Sequence, residues 1–338
     1  MVRRSDPGIG EVTGDRRRGP VLLADIGGTN ARFRIAGDGT TVDLPTIAVR
    51  DHPTVESAIA AVLAGHAGGA PAAAVLAVAG PIADGRMHLT NAAWEIDAAQ
   101  VGERCGFARV RLVNDFAALA WSLPALTDRD LVALGGGAGD ARAPRVVLGP
   151  GTGLGAAAYV EADRGIAIEG EGGHVSLAAA DDRESAVVAQ LRRRFGHVSV
   201  ERAVSGQGLV NLYEAIATID GVTVAARTPD EITTDASAGG CDVCRAALDM
   251  FCAFLGAFAG DLALTFGARG GIYVAGGIAP RIRTRLAASR FHDRLVDKGR
   301  FRQWLEAIPV RLVVHPAPAL VGLERLIAMT DVSREHDG

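Results

Sequence analysis

Val21-Leu-Leu-Ala-Asp-Ile-Gly-Gly-Thr-Asn-Ala-Arg-Phe-Arg-Ile-Ala36 is the stretch that decides the fold. Residues 21–26 form an apolar run broken only by Asp25, the pattern of a buried strand, whereas 31–36 alternate small or apolar with basic residues, the period-2 pattern of a half-buried strand. Gly27-Gly28-Thr29-Asn30 turns the chain between them. The glycine-rich turn therefore joins strand to strand rather than strand to helix, which argues against a dinucleotide-binding βα turn.

The pattern recurs. Residues 145–148 read as a strand, Gly149-Pro-Gly-Thr-Gly-Leu-Gly155 as a glycine-rich turn and 156–160 as a second strand. Thr29 and Thr152 stand 123 positions apart, each among glycines. This weak internal duplication predicts two related halves, each giving one hairpin loop to a shared cleft. Between and after the loops, patterning predicts helices over 53–64, 184–195, 209–217, 243–266, 280–289 and 320–329, with one more beginning at Ala117. It predicts strands over 74–79, 110–113, 271–275 and 310–314. In the long helix Leu248, Phe251, Leu255, Phe258 and Leu262 recur at three- and four-residue steps, a core-facing stripe. Mixed strands and helices with repeated hairpins predict an α/β protein of two lobes.

Composition narrows the chemistry. At 338 residues there is room for about two domains of roughly 150 residues each. With 49% hydrophobic and 22% charged residues the chain is globular, and a net charge of −4 argues against a nucleic-acid surface. Lys298 is the sole lysine, so a lysine-bearing phosphate loop is excluded, and Lys298 is too isolated to be argued into a phosphate site. Four clustered cysteines do not make a disulfide framework, which predicts a reducing, cytoplasmic setting. The arginine-rich start is followed by no apolar stretch before Val21, so no export signal is read, and residues 1–19 are expected to be a flexible leader. The apolar run 251–266, broken by glycines and Asp261, falls short of the roughly 20 residues of a membrane span and predicts a buried helix.

The first loop has a phosphate logic. Gly27 and Gly28 let the backbone approach an anion with consecutive N–H groups, Thr29 adds a hydroxyl, and Asp25 is placed to hold Mg²⁺ through water. An ordinary hairpin turn is the alternative. Gly151-Thr152-Gly153 tips the balance, since two such nests are what gripping a triphosphate from both sides requires. Asn114-Asp115 ends an apolar strand; it reads as a helix N-cap or, in a cleft, as a general base toward a hydroxyl. Glu169-Gly-Glu171-Gly-Gly-His174 has too thin a ligand set for metal and suits hydrogen bonds to a polyhydroxylated ligand. Glu201 alone reads as a solvated charge. Cys241-Asp-Val-Cys244 is a lone CxxC: zinc needs two further ligands and thioredoxin chemistry a different context, so no chemistry is assigned to it.

Together these stretches resemble the bacterial glucokinases, ATP-dependent hexokinase-like enzymes of the actin-like ATPase (ribonuclease H-like) fold. The resemblance runs from about Val21 to Met329. It is borne by Leu23-Ala-Asp-Ile-Gly-Gly-Thr-Asn-Ala-Arg32, Ala79-Gly-Pro81, Leu89-Thr-Asn-Ala-Ala-Trp94, Asn114-Asp-Phe116, Gly151-Thr-Gly-Leu-Gly155, Gly170-Glu-Gly-Gly-His174, Glu201-Arg202 with Ser205-Gly206, Ala275-Gly-Gly277 and Asp297-Lys-Gly-Arg-Phe301. Any one glycine motif is weak; nine in the family's order are specific.

The resemblance implies that Asn114, Asp115, Glu171, His174 and Glu201 hold glucose, with Asp115 the catalytic base for the 6-hydroxyl. It implies that Asp25, Gly27, Gly28, Thr29, Asn30, Gly151, Thr152 and Gly153 line the phosphates of ATP. Gly276 and Gly277 then lie against the adenosine. Magnesium is implied as the companion of ATP, with no direct protein ligand and Asp25 reaching it through water. The implied fold is a small α/β domain of residues 20–125 plus 316–338 and a large one of 126–315, duplicated halves around a central cleft. The implied reaction is transfer of the ATP γ-phosphoryl group to glucose, the first step of glycolysis. A cytoplasmic homodimer without membrane or nucleic-acid partners is implied as well. A repressor/kinase relative would carry cysteines beside the active-site His, whereas Val-Ser-Leu-Ala follows His174. A DNA-binding sugar sensor would need a helix-turn-helix, for which the leader is too short.

Overall fold

The computed structural model describes residues 19–37, 39–89 and 94–329. The leader expectation up to residue 18, and Thr90, Asn91, Ala92 and Ala93 of one motif, lie outside the described residues. The first part of the chain forms β1 (Val21–Ile26), β2 (Asn30–Gly37), β3 (Thr40–Asp43), β4 (Ile47–Ala48), α1 (Val55–Ala64), β5 (Ala73–Val78), β6 (Arg86–His88), β7 (Glu95–Asp97), α2 (Ala98–Cys105), β8 (Arg109–Asn114) and α3 (Asp115–Ser122). There follow β9 (Leu131–Gly135), β10 (Arg145–Pro150), β11 (Leu154–Val160), β12 (Ile166–Gly170), α4 (Asp182–Phe195), α5 (Gly206–Asp220), α6 (Pro229–Ala238) and α7 (Asp242–Phe266). The chain closes with β13 (Gly271–Val274), α8 (Arg283–Ala288), α9 (Phe291–Val296), α10 (Arg302–Glu306), β14 (Val310–Val313) and α11 (Pro318–Met329).

Two sheets organise the molecule. The first has the order β3-β2-β1-β5-β8 with β4 beside β2, and the second the order β12-β11-β10-β13-β14-β9. In the first, β1 is antiparallel to β2 and parallel to β5, which is parallel to β8. In the second, β10 is antiparallel to β11 and parallel to β13, which is parallel to β14. Each glycine-rich turn thus closes an antiparallel hairpin at the centre of its sheet.

The central strands are buried on both faces, as their near-continuous apolar character requires. Leu22, Ala24 and Ile26 of β1 face α1 and its Val55, Ile59 and Val62, whereas Leu23 faces the other way. On that other side lies a core shared by both sheets: Leu23, Val75 and Ala77 from the first, Val147, Ala157 and Tyr159 from the second, with α3 and α11 between. Trp121 of α3 meets Tyr159 edge to face, ring centroids 5.7 Å apart. Successive residues of α11 bind the two sheets: Glu324 accepts from Arg34 of β2 at 2.7 Å, and Arg325 donates to the Tyr159 hydroxyl at 3.1 Å.

The long helix extends from Asp242 to Phe266, and all five residues of its predicted stripe are buried. Among the described residues it is the one helix long and apolar enough to cross a membrane, and most of that length is buried inside the fold. Its stripe packs on β10 through Val146 and Leu148, which is what a core helix does. The helix predicted over 280–289 covers only Arg283–Ala288, because the chain from 278 to 282 turns first. The helix expected from Ala117 begins at Asp115, two residues earlier. Helices α2 and α6 were not legible from apolar periodicity, since each buries only one or two side chains. Their caps define them instead: Asp97 accepts from two backbone N–H groups, and Thr228 with Glu231 forms a capping box before Pro229.

Candidate active site

Asn114 and Asp115 lie where β8 passes into α3. The Asn114 Oδ1 accepts the N–H groups of Phe116 at 2.9 Å and Ala117 at 3.1 Å, so it is the N-cap of α3. Capping by Asn114 leaves Asp115 at the end of β8, where its Oδ1 accepts the Phe116 N–H at 3.0 Å. Burial, the charge of Asp25 and more weakly that of Glu171 push the Asp115 carboxyl up to about 7, against the pull of backbone N–H groups. Asp25 and Glu171 are thus near enough to Asp115 for their charges to act on it. Of the cap and base alternatives that the sequence left open, the cap belongs to Asn114.

Asp25 sits near the end of β1, directly across the hairpin from Arg32, whose Nη1 donates to its Oδ2 at 3.3 Å. Burial holds the Asp25 carboxyl above its ordinary range despite the Arg32 charge and hydrogen bond. Beyond it the turn Gly27-Gly28-Thr29 closes with the Gly27 N–H donating to the Asn30 carbonyl at 3.0 Å, and Thr29 and Asn30 are exposed.

The second loop is held from several sides. The Gly151 N–H donates to the Gly153 carbonyl at 2.8 Å, and the Gly206 N–H, at the start of α5, donates to the Gly151 carbonyl at 2.9 Å. Thr152 is exposed at its tip. Gly276 lies against the base of this loop with φ +81°, and a Cβ there would come within 2.5 Å of the Pro150 carbonyl oxygen, so only glycine fits. The Phe116 ring covers Gly155, where any Cβ would fall inside it. Phe116, the residue after Asp115, thereby packs on the strand leaving the second loop.

Glu171 and His174 flank a short 3₁₀ turn, Gly172–His174, that follows β12; Glu169 belongs to that strand rather than to a loop. Their side chains are exposed, with Glu171 Oε2 and His174 Nε2 3.8 Å apart. The Val200 N–H donates to the Val175 carbonyl at 3.0 Å, and the Leu177 N–H to the Val198 carbonyl at 2.9 Å, which brings Glu201 beside this turn. Glu201 is not the solvated charge that its sequence context predicts, for its Oε2 accepts the Leu154 N–H at 2.8 Å. Lys298 lies elsewhere, paired with Asp261 of α7 at 2.6 Å.

Sequence reasoning missed Arg32 and Phe116. Arg32 could have been found from the hairpin register, which sets it opposite Asp25; nothing local foretold where the Phe116 ring would land. Among the described residues no group of three or more His, Cys, Asp or Glu side chains could hold a metal ion.

Two glycine-rich hairpins, one in each sheet of a mixed α/β fold, with a part-buried carboxylate at a strand end, are the arrangement expected of a sugar kinase. Comparison with known proteins makes this specific. The glucokinase family profile matches residues 22–330. A glucokinase from Paramagnetospirillum magneticum is 46% identical over 311 residues, 91% of this chain and 97% of that protein. One from Nitrobacter hamburgensis is 42% identical over 307 residues, covering 90% and 96%. The crystal structure of a glucokinase from an Antarctic psychrotroph superposes with a TM-score of 0.82 at 38% identity, over 92% of this chain and 99% of that one. A ROK-family glucokinase from Streptomyces griseus, 23% identical over 90% of this chain and 97% of its own, shares the fold with a TM-score of 0.59. The chain belongs to the glucokinase family.

Proposed function

We propose that Asp115 is the general base of a glucokinase reaction in which the 6-hydroxyl of glucose attacks the γ-phosphorus of ATP. The chain is an ATP-dependent glucose kinase by family, and the observation that supports this role is the Asp115 carboxyl, raised to about 7 by burial and two flanking carboxylates. A base works best with a pKa near the working pH. Asp115 takes the hydroxyl proton as the oxygen–phosphorus bond forms; the bond to the β-bridging oxygen breaks, and ADP leaves with that electron pair.

Phosphoryl transfer depends on positioning and charge neutralisation rather than on covalent help. In this reading the N–H groups of Gly27, Gly28 and Gly151 to Gly153, with the Thr29, Asn30 and Thr152 side chains, receive the phosphates. Gly276 and Gly277 lie along the adenosine. Asn114, Glu171, His174 and Glu201 take the sugar hydroxyls, where a missing hydroxyl leaves a polar group unpaired and so favours glucose. Asp25, its charge only partly met by Arg32, fits a hydrated magnesium ion arriving with ATP. When bound, the ion neutralises charge on the phosphates.

The matching wiring of the two sheets supports duplicated halves facing across a cleft. In this reading residues 20–125 with 316–338, of which 38, 90–93 and 330–338 lie outside the described residues, form one lobe and 126–315 the other, closing on sugar to exclude water. A cytoplasmic homodimer is part of the same reading. Asp115→Asn is the test: kcat falls by at least about 10²–10⁴-fold while calorimetry still detects glucose binding. A variant retaining the wild-type rate would remove Asp115 from the role.

A further inference from the structure

The tertiary structure supplies the context that Cys241-Asp-Val-Cys244 lacks in the sequence. Cys241 is the N-cap of α7, and its Sγ accepts the Cys244 N–H at 3.3 Å. Cys241 is half-buried and open to solvent on one side, whereas Cys244, one turn deeper, is fully buried. Residues three apart across a helical turn have Cα atoms about 5 Å apart, within the span that a disulfide bridges.

Arg227, just before α6, completes the setting. It pairs with Asp235, donates a hydrogen bond to the Tyr213 hydroxyl oxygen, and its charge reaches both thiols. Its buried Nε has no hydrogen-bond partner among the described residues. The four cysteines differ sharply. Burial raises Cys105, and pushes Cys244 and Cys252 up to about 12. Partial burial also works to raise Cys241, but hydrogen bonds from the Cys244 side chain and backbone, with the Arg227 charge, outweigh it and hold this thiol below its ordinary value. An accessible, activated thiol at a helix N-terminus with a buried thiol behind it is the division of labour that thiol–disulfide exchange uses.

We propose that Cys241 and Cys244 form a thiol–disulfide exchange site, oxidised reversibly by low-molecular-weight disulfides of the glutathione type. The Cys241 thiolate attacks one sulfur of the small disulfide; that S–S bond breaks, one half leaves as thiolate, and a mixed disulfide forms on Cys241. Cys244 then gives its proton to solvent and attacks the Cys241 sulfur, and the second half leaves as thiolate. The pair loses two electrons and two protons, and the small disulfide becomes two thiols. Burial of Cys244 keeps it from external reagents while leaving the neighbouring sulfur within reach.

The test uses the full chain and oxidised glutathione, read by thiol titration and peptide mass mapping. Wild type is expected to lose two of its four thiols, to yield a linked Cys241–Cys244 peptide, and to regain both with dithiothreitol. Cys244→Ser is expected to stop at a glutathione adduct on Cys241, and Cys241→Ser to lose the reaction, with glucose phosphorylation confirming that both variants are folded. Four thiols remaining free in wild type, an adduct on Cys105 or Cys252 instead, or undiminished oxidation of Cys241→Ser would each overturn the proposal.

Discussion

Glu201 and Leu154 are joined across the second glycine loop: the Glu201 carboxylate accepts the Leu154 backbone N–H at 2.8 Å. A Cβ on Gly153 would sit 2.5 Å from the same carboxylate oxygen, so the loop is built around it. One oxygen of the Glu201 carboxylate thus holds the loop that the proposed function gives to the nucleotide, leaving the other for the sugar in that same reading.

Glu201→Ala is therefore expected to weaken nucleotide binding even without sugar. Loss of a charge-assisted hydrogen bond costs about 1.5–3 kcal/mol, roughly a tenfold or larger rise in Kd. Calorimetry with a non-hydrolysable ATP analogue and no glucose measures it. Glu171→Ala, at a residue that the proposed function gives to the sugar alone, is the control and should leave this Kd unchanged while weakening glucose. Equal effects of the two variants on nucleotide alone would contradict the link.

The pH–rate profile carries the signature of Asp115. The base must be ionised to accept a proton, so kcat/KM rises about tenfold per pH unit below its pKa and levels off above it. With the carboxyl raised to about 7, the bend is expected near neutrality rather than near pH 4. A plateau reaching unbroken down to pH 5 would place the base elsewhere.

Stability responds in the opposite sense. A carboxyl whose folded-state pKa is raised keeps its proton better folded than unfolded, so its contribution is present below about pH 4 and is lost as pH climbs to about 7. Asp115→Asn removes this loss. The variant is expected to be more stable than wild type at pH 8, by up to about 4 kcal/mol at 1.36 kcal/mol per pKa unit, and similar to it near pH 4. Denaturant titrations at the two pH values check the sign.

Gly155→Ala drives a methyl group into the Phe116 ring. Overpacking of this type costs about 1–3 kcal/mol, and a displacement of about 1 Å at a catalytic group costs on the order of 10²-fold in rate. The expected result is a fall in kcat with a smaller change in glucose KM. Adding Phe116→Ala should recover part of the loss, since the ring is what the methyl meets; a purely additive double variant would show that the two sites are uncoupled.

Much of this was open to the sequence, but unevenly. The central strands announce themselves because both their faces are buried, so β1 and β10 read as apolar runs. The edge strand β12 is mostly exposed and so has no such signature. Asn114 and Asp115 were recognisable as a pair with two candidate duties. Which of the two is the cap depended on where α3 starts, and the hydrogen bonds to Asn114 decide that.

What the sequence determined by itself is local: glycines that let a hairpin turn tightly, alternation that makes a strand, a helix stripe that seeks a core, and a motif order diagnostic of the family. Such properties depend on neighbours a few positions apart, where chain connectivity already enforces proximity. Only the tertiary structure set Glu201 on Leu154, Phe116 over Gly155, Arg227 beside Cys241, and Asp25 near enough to Asp115 to raise it. Those relations join residues far apart in the chain, and their strength comes from distance and from the exclusion of water, neither of which exists until both sheets have packed around their shared core.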